Sequence, residues 1–236
     1  NYVSEEQRMK FLPKLASGEF MGSFGLTEPD HGSNPSGMTT NFKDAGDGEH
    51  IILNGAKLWI SNSPFCDVAV VWAKNEEGRI HGVIVERGME GFSTPETHNK
   101  WSLRASATGE LIFQDVKIPK TNILPNKSGL GAPLGCLDSA RFGIAWGAIG
   151  AAMDCYDTAL RYAKQRIQFG KPIAAFQLQQ KKLAEMITEI TKAQLLALRL
   201  GQLKNEGRAT SAQISMAKRN NVEMAINIAR EARQIL

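Results

Sequence analysis

Three regimes of hydrophobic patterning follow one another along the chain. Residues 4–16, SEEQRMKFLPKLA, read as a short helix capped by Ser4, with Glu5 and Glu6 in a first turn that favours acidic groups. From about Gly22 to Leu124 the period shortens to that of strands. HIILNGAKLWIS sets Asn54-Gly55 between two apolar runs and predicts a hairpin. DVAVVWAKNEEGRIHGVIVE predicts a second hairpin around Asn75 to Gly78. ELIFQDVKIP alternates apolar and polar positions as a half-buried strand does. Turn signals recur throughout, and the expected product is a compact antiparallel sheet pair or barrel.

After NILPNKSGLGAPLG the period becomes helical. A first long helix is predicted over Asp138 to Gln165 and a second over about Gln177 to Asn205. The third starts near Thr210 and carries Ile214, Ala217, Asn221, Ala225, Ile228, Ala232 and Ile235 on one face. The first is rich in small residues, including Gly143, Gly147 and Gly150. An interior glycine costs about 1 kcal/mol relative to alanine, so three of them predict close approach of a neighbour or ligand. Strands first and helices afterwards make an α+β chain, in which a central β domain is followed by an incomplete helical bundle. The expected division is residues 1–19, the end of a helical domain, then 20–128 and 129–236. Both ends read as cut.

Composition narrows the function classes. Apolar content of 42% and charged content of 22% are those of a globular protein, and no stretch of the sequence is apolar enough to span a membrane. The net charge of +4 suits an anionic ligand, but Lys and Arg are scattered on helical patterns rather than gathered for nucleic acid. Cys66, Cys136 and Cys155 are far apart and odd in number, which argues against a disulfide framework or zinc site and for a reducing compartment. No metal ligand set is evident among the four histidines.

The candidate chemistry lies in loops. GLGAPLG (129–135) has the spacing GxGxxxG with a proline and no βαβ unit around it, so it reads as a glycine-rich linker rather than a dinucleotide loop. Glu28 and Asp30 read as solvated turn carboxylates. FGLTEPDHGSNPSG (24–37) packs three glycines, two prolines, two serines and a threonine into a stretch with no helical period, a composition suited to wrapping a polar ligand. It is followed in order by LNGAKLWISNS, LRASATG, LDSARFGIAWG and YAKQRIQFGKPIAAFQ.

This series resembles the acyl-CoA dehydrogenase family over nearly the whole chain. EPDHGSNPSGM, WISNSP, WSLRASATGE and GCLDSARFGIAWG are most similar to its glutaryl branch. Asn34 stands where the family's first motif has an aspartate. The resemblance implies FAD bound by Phe24, Gly25, Leu26, Thr27, Gly32, Ser33, Trp59, Ile60 and Ser61, with Ser61 keeping a hydroxyl where threonine is usual. It implies that Arg166, Phe169, Gln177 and Gln234 reach the FAD of a second subunit. It also implies an acyl-CoA site lined by Ser33, Ser61, Leu137, Asp138 and Arg141. The implied reaction is α,β-dehydrogenation of glutaryl-CoA, with loss of CO2 to give crotonyl-CoA. Its glutamate base is expected beyond Leu236 and the cation for the distal carboxylate before residue 1. Implied with it are an electron-transfer flavoprotein partner, a homotetramer, and a bacterial cytoplasmic or mitochondrial matrix location. Short- or branched-chain substrates, a non-decarboxylating reaction and a non-catalytic scaffold are the alternatives.

Overall fold

The computed structural model describes residues 2–236 and divides into two compact units, residues 1–134 and 135–236. The first opens with helix α1 (Glu5–Ser17). Ser4 accepts from the Gln7 amide while the Gln7 side chain accepts from the Ser4 amide, a capping box, and Gly18 ends the helix in the left-handed region. Gln7 is buried, and its Nε2 donates to the Thr121 and Ile123 carbonyls at 2.7 and 2.9 Å, which ties α1 to the end of the strand region.

Seven strands form one sheet: β1 (Gly22–Gly25), β2 (Asn41–Asp44), β3 (His50–Ser61), β4 (Val68–Lys74), β5 (Ile80–Glu86), β6 (Phe92–Ser93) and β7 (Thr108–Pro119). The order is β1-β4-β2-β3-β7-β6, with β5 on β4. Most pairs are antiparallel. β1 lies parallel to β4, a pairing possible only because residues 26–67 separate the two in sequence. The core runs through Leu53, Val71, Val83, Val85, Leu111, Val116 and Ile118, all essentially inaccessible.

The hairpin around Asn75 to Gly78 forms as expected, closed by the Asn75 amide on Arg79 and the Gly78 amide on Asn75. The hairpin at Asn54-Gly55 does not. Both residues lie inside β3, one continuous twelve-residue strand paired to β7. Opposite Asn54, β7 carries a bulge: Leu53 pairs with Val116 and Gly55 with Phe113, leaving Gln114 and Asp115 against one residue. The Asn54 side chain fills the gap, donating to the Asp115 carboxylate at 2.9 Å and accepting from its amide at 2.8 Å. Gly55 has φ +134°, and a Cβ there would stand 2.7 Å from the Thr40 Cα. Glycine is needed here for close approach of the residue leading into β2, not for a turn.

The second unit is helical. α2 (Gly131–Gln165) begins seven residues before the expected Asp138, so the segment read as a linker supplies its first turn. Pro133 is tolerated there because first-turn amides have no intrahelical acceptor. A short hairpin, β8 (Ile167–Gln168) with β9 (Lys171–Pro172), leads to α3 (Gln177–Asn205). α4 (Ser211–Ile235) is started by a capping box between Thr210 and Gln213. Ala152, Ala159, Ala163, Met186, Ile190, Ala193, Ala197 and Ile228 share one buried cluster. Asn221 is fully buried and donates to the Ala145 carbonyl at 2.8 Å, which joins α4 to α2. Of the glycines of α2, the three expected to mark a close approach have no close neighbour: a Cβ at Gly143, Gly147 or Gly150 would meet nothing within 4 Å. The expected close approach is therefore not made by any described part of this chain.

Candidate functional site

In the first unit the structure brings residues 24–28 and 57–61 together. Leu58 donates its amide to the Thr27 carbonyl at 2.9 Å, and the Ser23 hydroxyl donates to the Ser61 carbonyl at 2.9 Å. Phe24 packs edge-on against Trp72, at 6.2 Å between ring centroids. Gly25 and Leu26 are buried and Thr27 is half-buried. Gly32 and Ser33 are exposed in the loop that follows.

Strand β3 changes character as it reaches this region. Lys57 pairs with Leu111 and Ile60 with Gly109, so Leu58 and Trp59 bulge against Glu110. Trp59 takes φ +57°, unusual for a bulky residue, and its side chain is 66% exposed. A core role for this tryptophan is thereby excluded. Ile60 turns back into the core, and Ser61 is again exposed. The chain then reverses at Asn62, also at positive φ. Ser63 donates its hydroxyl to the Ile60 carbonyl at 3.0 Å, and Arg87 braces the turn by donating to the Cys66 carbonyl at 2.6 Å and the Ser63 carbonyl at 3.2 Å.

Behind these residues lies what the sequence does not announce. Glu28, expected as a solvated carboxylate, is 2% exposed and forms an ion pair with Lys57, which is 0% exposed. Lys57 Nζ donates to Glu28 Oε1 at 2.8 Å and to the Leu26 carbonyl at 3.3 Å. The amide and hydroxyl of Thr39 donate to Glu28 Oε2 at 2.6 and 3.0 Å, and the Thr40 amide to Oε1 at 3.0 Å. Burial pushes the Glu28 carboxyl up, but the Lys57 ammonium and the Thr39 and Thr40 donors outweigh it and hold the group at about 2. Burial also lowers the Lys57 pKa, and Glu28 offsets part of that shift. One signal for Lys57 is present in the sequence: a lysine at the inward-facing parity of an apolar strand must be paired.

The second unit holds the remaining predicted residues as separate groups. Arg166 and Phe169 lie at the β8–β9 hairpin, both exposed; Phe169 is 91% exposed at φ +53°. Gln177 is exposed at the first residue of α3. Gln234 lies in the last turn of α4 and accepts from Lys182 at 3.0 Å. In α2, Leu137 is half-buried. Arg141 pairs with Asp138 at 3.2 Å, and the Ser211 hydroxyl donates to the other oxygen of that carboxylate, so both charged side chains are engaged within the unit. Among the described residues no group of three or more His, Cys, Asp or Glu side chains is arranged to hold a metal ion.

Comparison with known proteins assigns both units. Residues 23–116 match the model for the acyl-CoA dehydrogenase middle domain, and residues 127–236 the model for the acyl-CoA dehydrogenase C-terminal domain. A glutaryl-CoA dehydrogenase from Desulfococcus multivorans is 41% identical over all of this chain and 61% of its own length. A crystal structure of a glutaryl-CoA dehydrogenase from Mycobacterium smegmatis in complex with FADH2 is 48% identical, with a TM-score of 0.96, over 100% of this chain and 60% of that one. A structure of a glutaryl-CoA dehydrogenase in complex with glutaryl-CoA is 40% identical, with a TM-score of 0.92, over the same shares of the two chains. The chain thus spans about three-fifths of the length of these relatives. On the joint match of its two units, the chain belongs to the acyl-CoA dehydrogenase family.

Proposed function

We propose that this chain forms the flavin-holding part of an FAD-dependent acyl-CoA dehydrogenase that oxidises glutaryl-CoA with loss of CO2. The observation that carries the reading is the junction of residues 24–28 with the bulged end of β3. There an outward-turned indole and a free-standing hydroxyl occupy nearby exposed positions, Trp59 and Ser61. This donor set suits a flavin edge, which needs an apolar wall beside it and donors where charge gathers on reduction. Support for the ligands comes from relatives of this chain whose structures were solved with FADH2 and with glutaryl-CoA.

FAD, when bound, supplies the hydride acceptor. Within this chain, the backbone of Phe24 to Thr27 and the Trp59 indole hold and wall the ring, and the Ser61 hydroxyl donates to its edge. Gly32 and Ser33 leave room for a diphosphate and a pantetheine arm. Arg166 provides a charge-assisted donor to a diphosphate, and Phe169, Gln177 and Gln234 complete that contact toward a neighbouring subunit. Leu137, Asp138 and Arg141 line the acyl-CoA path. The base that takes the proton next to the thioester carbonyl is a glutamate outside residues 1–236. Reduced enzyme passes its electrons to an electron-transfer flavoprotein, and the assembly is a homotetramer.

The test uses the full-length protein, purified with its yellow chromophore. Anaerobic glutaryl-CoA should bleach the flavin and, with an electron acceptor, yield CO2 and crotonyl-CoA. A clear preference for butyryl-CoA overturns the substrate. Glutaconyl-CoA as the final product, without CO2, overturns the decarboxylation. A colourless protein that takes up no FAD overturns the whole reading.

A further inference from the structure

We propose that the buried Glu28–Lys57 pair is a positioning element, which sets the bulge at Leu58–Trp59 and so fixes the aim of Trp59 and Ser61. The flavin role of those two residues rests on the reading above; the mechanical role of the pair rests on its own geometry.

Three stretches distant in sequence meet at this pair. Lys57 holds the Leu26 carbonyl, and Glu28 holds the amides of Thr39 and Thr40. Gly25 packs so tightly on the lysine stem that a Cβ would stand 3.2 Å from Lys57 Cγ. Lys57 is also the last residue of β3 in regular register before the bulge, and the next residue, Leu58, gives its amide to Thr27 rather than to β7. The bulge itself contains Trp59 at positive φ, a conformation that persists only where the surroundings over-determine it. The surroundings here are the ion pair on one side of the bulge and the braced turn at Ser63 and Arg87 on the other.

Stability does not account for the pair. A buried ion pair is commonly no more stabilising than apolar side chains of the same volume. An aliphatic pair would fill this space, yet it would hold neither the Leu26 carbonyl nor the Thr39 and Thr40 amides. What the charges add is a set of required partners: in a dry interior the ammonium must donate to the Glu28 carboxylate and the Leu26 carbonyl, and so fixes where strand β3 ends its regular course.

The experiment compares the full-length protein with its Glu28→Gln/Lys57→Met variant, which keeps the packing volume and removes both charges. Two readouts are taken: amide hydrogen exchange of the FAD-free protein and equilibrium FAD affinity. Exchange in residues 57–62 should accelerate by about tenfold or more, while residues 111–118 of β7 keep their protection. FAD affinity should fall by about tenfold or more, with a shifted midpoint potential in whatever flavin remains. Equal changes in exchange along 57–62 and 111–118, or none in either, would sink the positioning role. Should the double variant not fold, Glu28→Asp, which leaves no charge unpaired but draws the carboxylate back by one methylene, is taken through the same two measurements, and the same outcomes support or sink the role. If the unmodified protein takes up no FAD, the flavin reading falls, and the positioning role is then decided by exchange alone.

Discussion

The two units of this chain solve interior packing with different materials. Gln7, Glu28, Thr40, Lys57, Ser63 and Asn122 are buried in the first, whereas Asn221 is the single buried polar side chain among the described residues of the second. The helical unit meets its own backbone needs within each helix, and small residues such as Ala145, Ala152 and Ala163 suffice to bring helices together. The strand unit must also hold irregular backbone: a loop at 26–40, two bulges and a reversal at Asn62. Those segments have no ladder to satisfy them, and buried side-chain donors and acceptors take its place. Polar interiors here therefore follow irregular backbone, and the irregular backbone is where the candidate flavin residues sit.

The sharpest way to break this contrast is to leave one charge of the pair alone. Glu28→Ala strands the Lys57 ammonium in a dry core and is expected to destabilise the strand unit by about 3–5 kcal/mol. Acid probes the same group. Because the folded Glu28 carboxyl lies at about 2, below its unfolded value of 4.5, its stabilisation is complete above pH 4.5 and is lost as pH falls toward 2. That difference is worth about 3 kcal/mol at neutral pH. The urea stability of the strand unit should fall over that interval, and Glu28→Ala should remove this share of the acid dependence. The same acid dependence in the Glu28→Ala variant as in the unaltered protein would contradict the ion pair.

A smaller effect is expected in the helical unit. Asn221→Ala removes one buried hydrogen bond to the Ala145 carbonyl without exposing a charge, and should cost about 1–2 kcal/mol in urea titrations followed by helix circular dichroism. A cost as large as that of Glu28→Ala would erase the distinction between the units. The smallest effect belongs to Phe169→Ala. The ring is 91% exposed, so the thermal midpoint of residues 1–236 alone should move by less than the equivalent of about 0.5 kcal/mol. A large loss there would mean the ring is packed in solution.

The same contrast explains what can be read from residues alone. The helices are legible because their signals are local: Ser4 with Gln7, Thr210 with Gln213, and apolar faces at 3.6-residue spacing. The hairpin at Asn75 is legible for the same reason. Asn54-Gly55 misleads because its partner is Asp115, 61 residues away, and a turn-forming dipeptide serves equally well beside a bulge. The clue is in the other strand: Leu111 and Phe113 face inward, as do Val116 and Ile118, and the parity slips by one at Gln114-Asp115. Glu28 misleads because a carboxylate among prolines and glycines looks solvated until Lys57 is known to lie against it. Gly143, Gly147 and Gly150 of α2 suggest a close contact that no described part of this chain supplies. Of the candidate site, the membership of residues 24–27 and 59–61 comes from resemblance. Their meeting, and the pair beneath them, comes only from the fold.

The long ladder between β3 and β7 has a consequence in time. Residues 50–61 find their partners at 108–119, so the central pairing of the sheet must close at least residues 62–107 into a loop before any of its bonds form. Closure of that kind is slow compared with helix growth, which needs only near neighbours. During synthesis β3 must therefore wait, with its apolar face in water, until β7 has been made. Helices α3 and α4 have no such wait, because their backbone bonds join near neighbours.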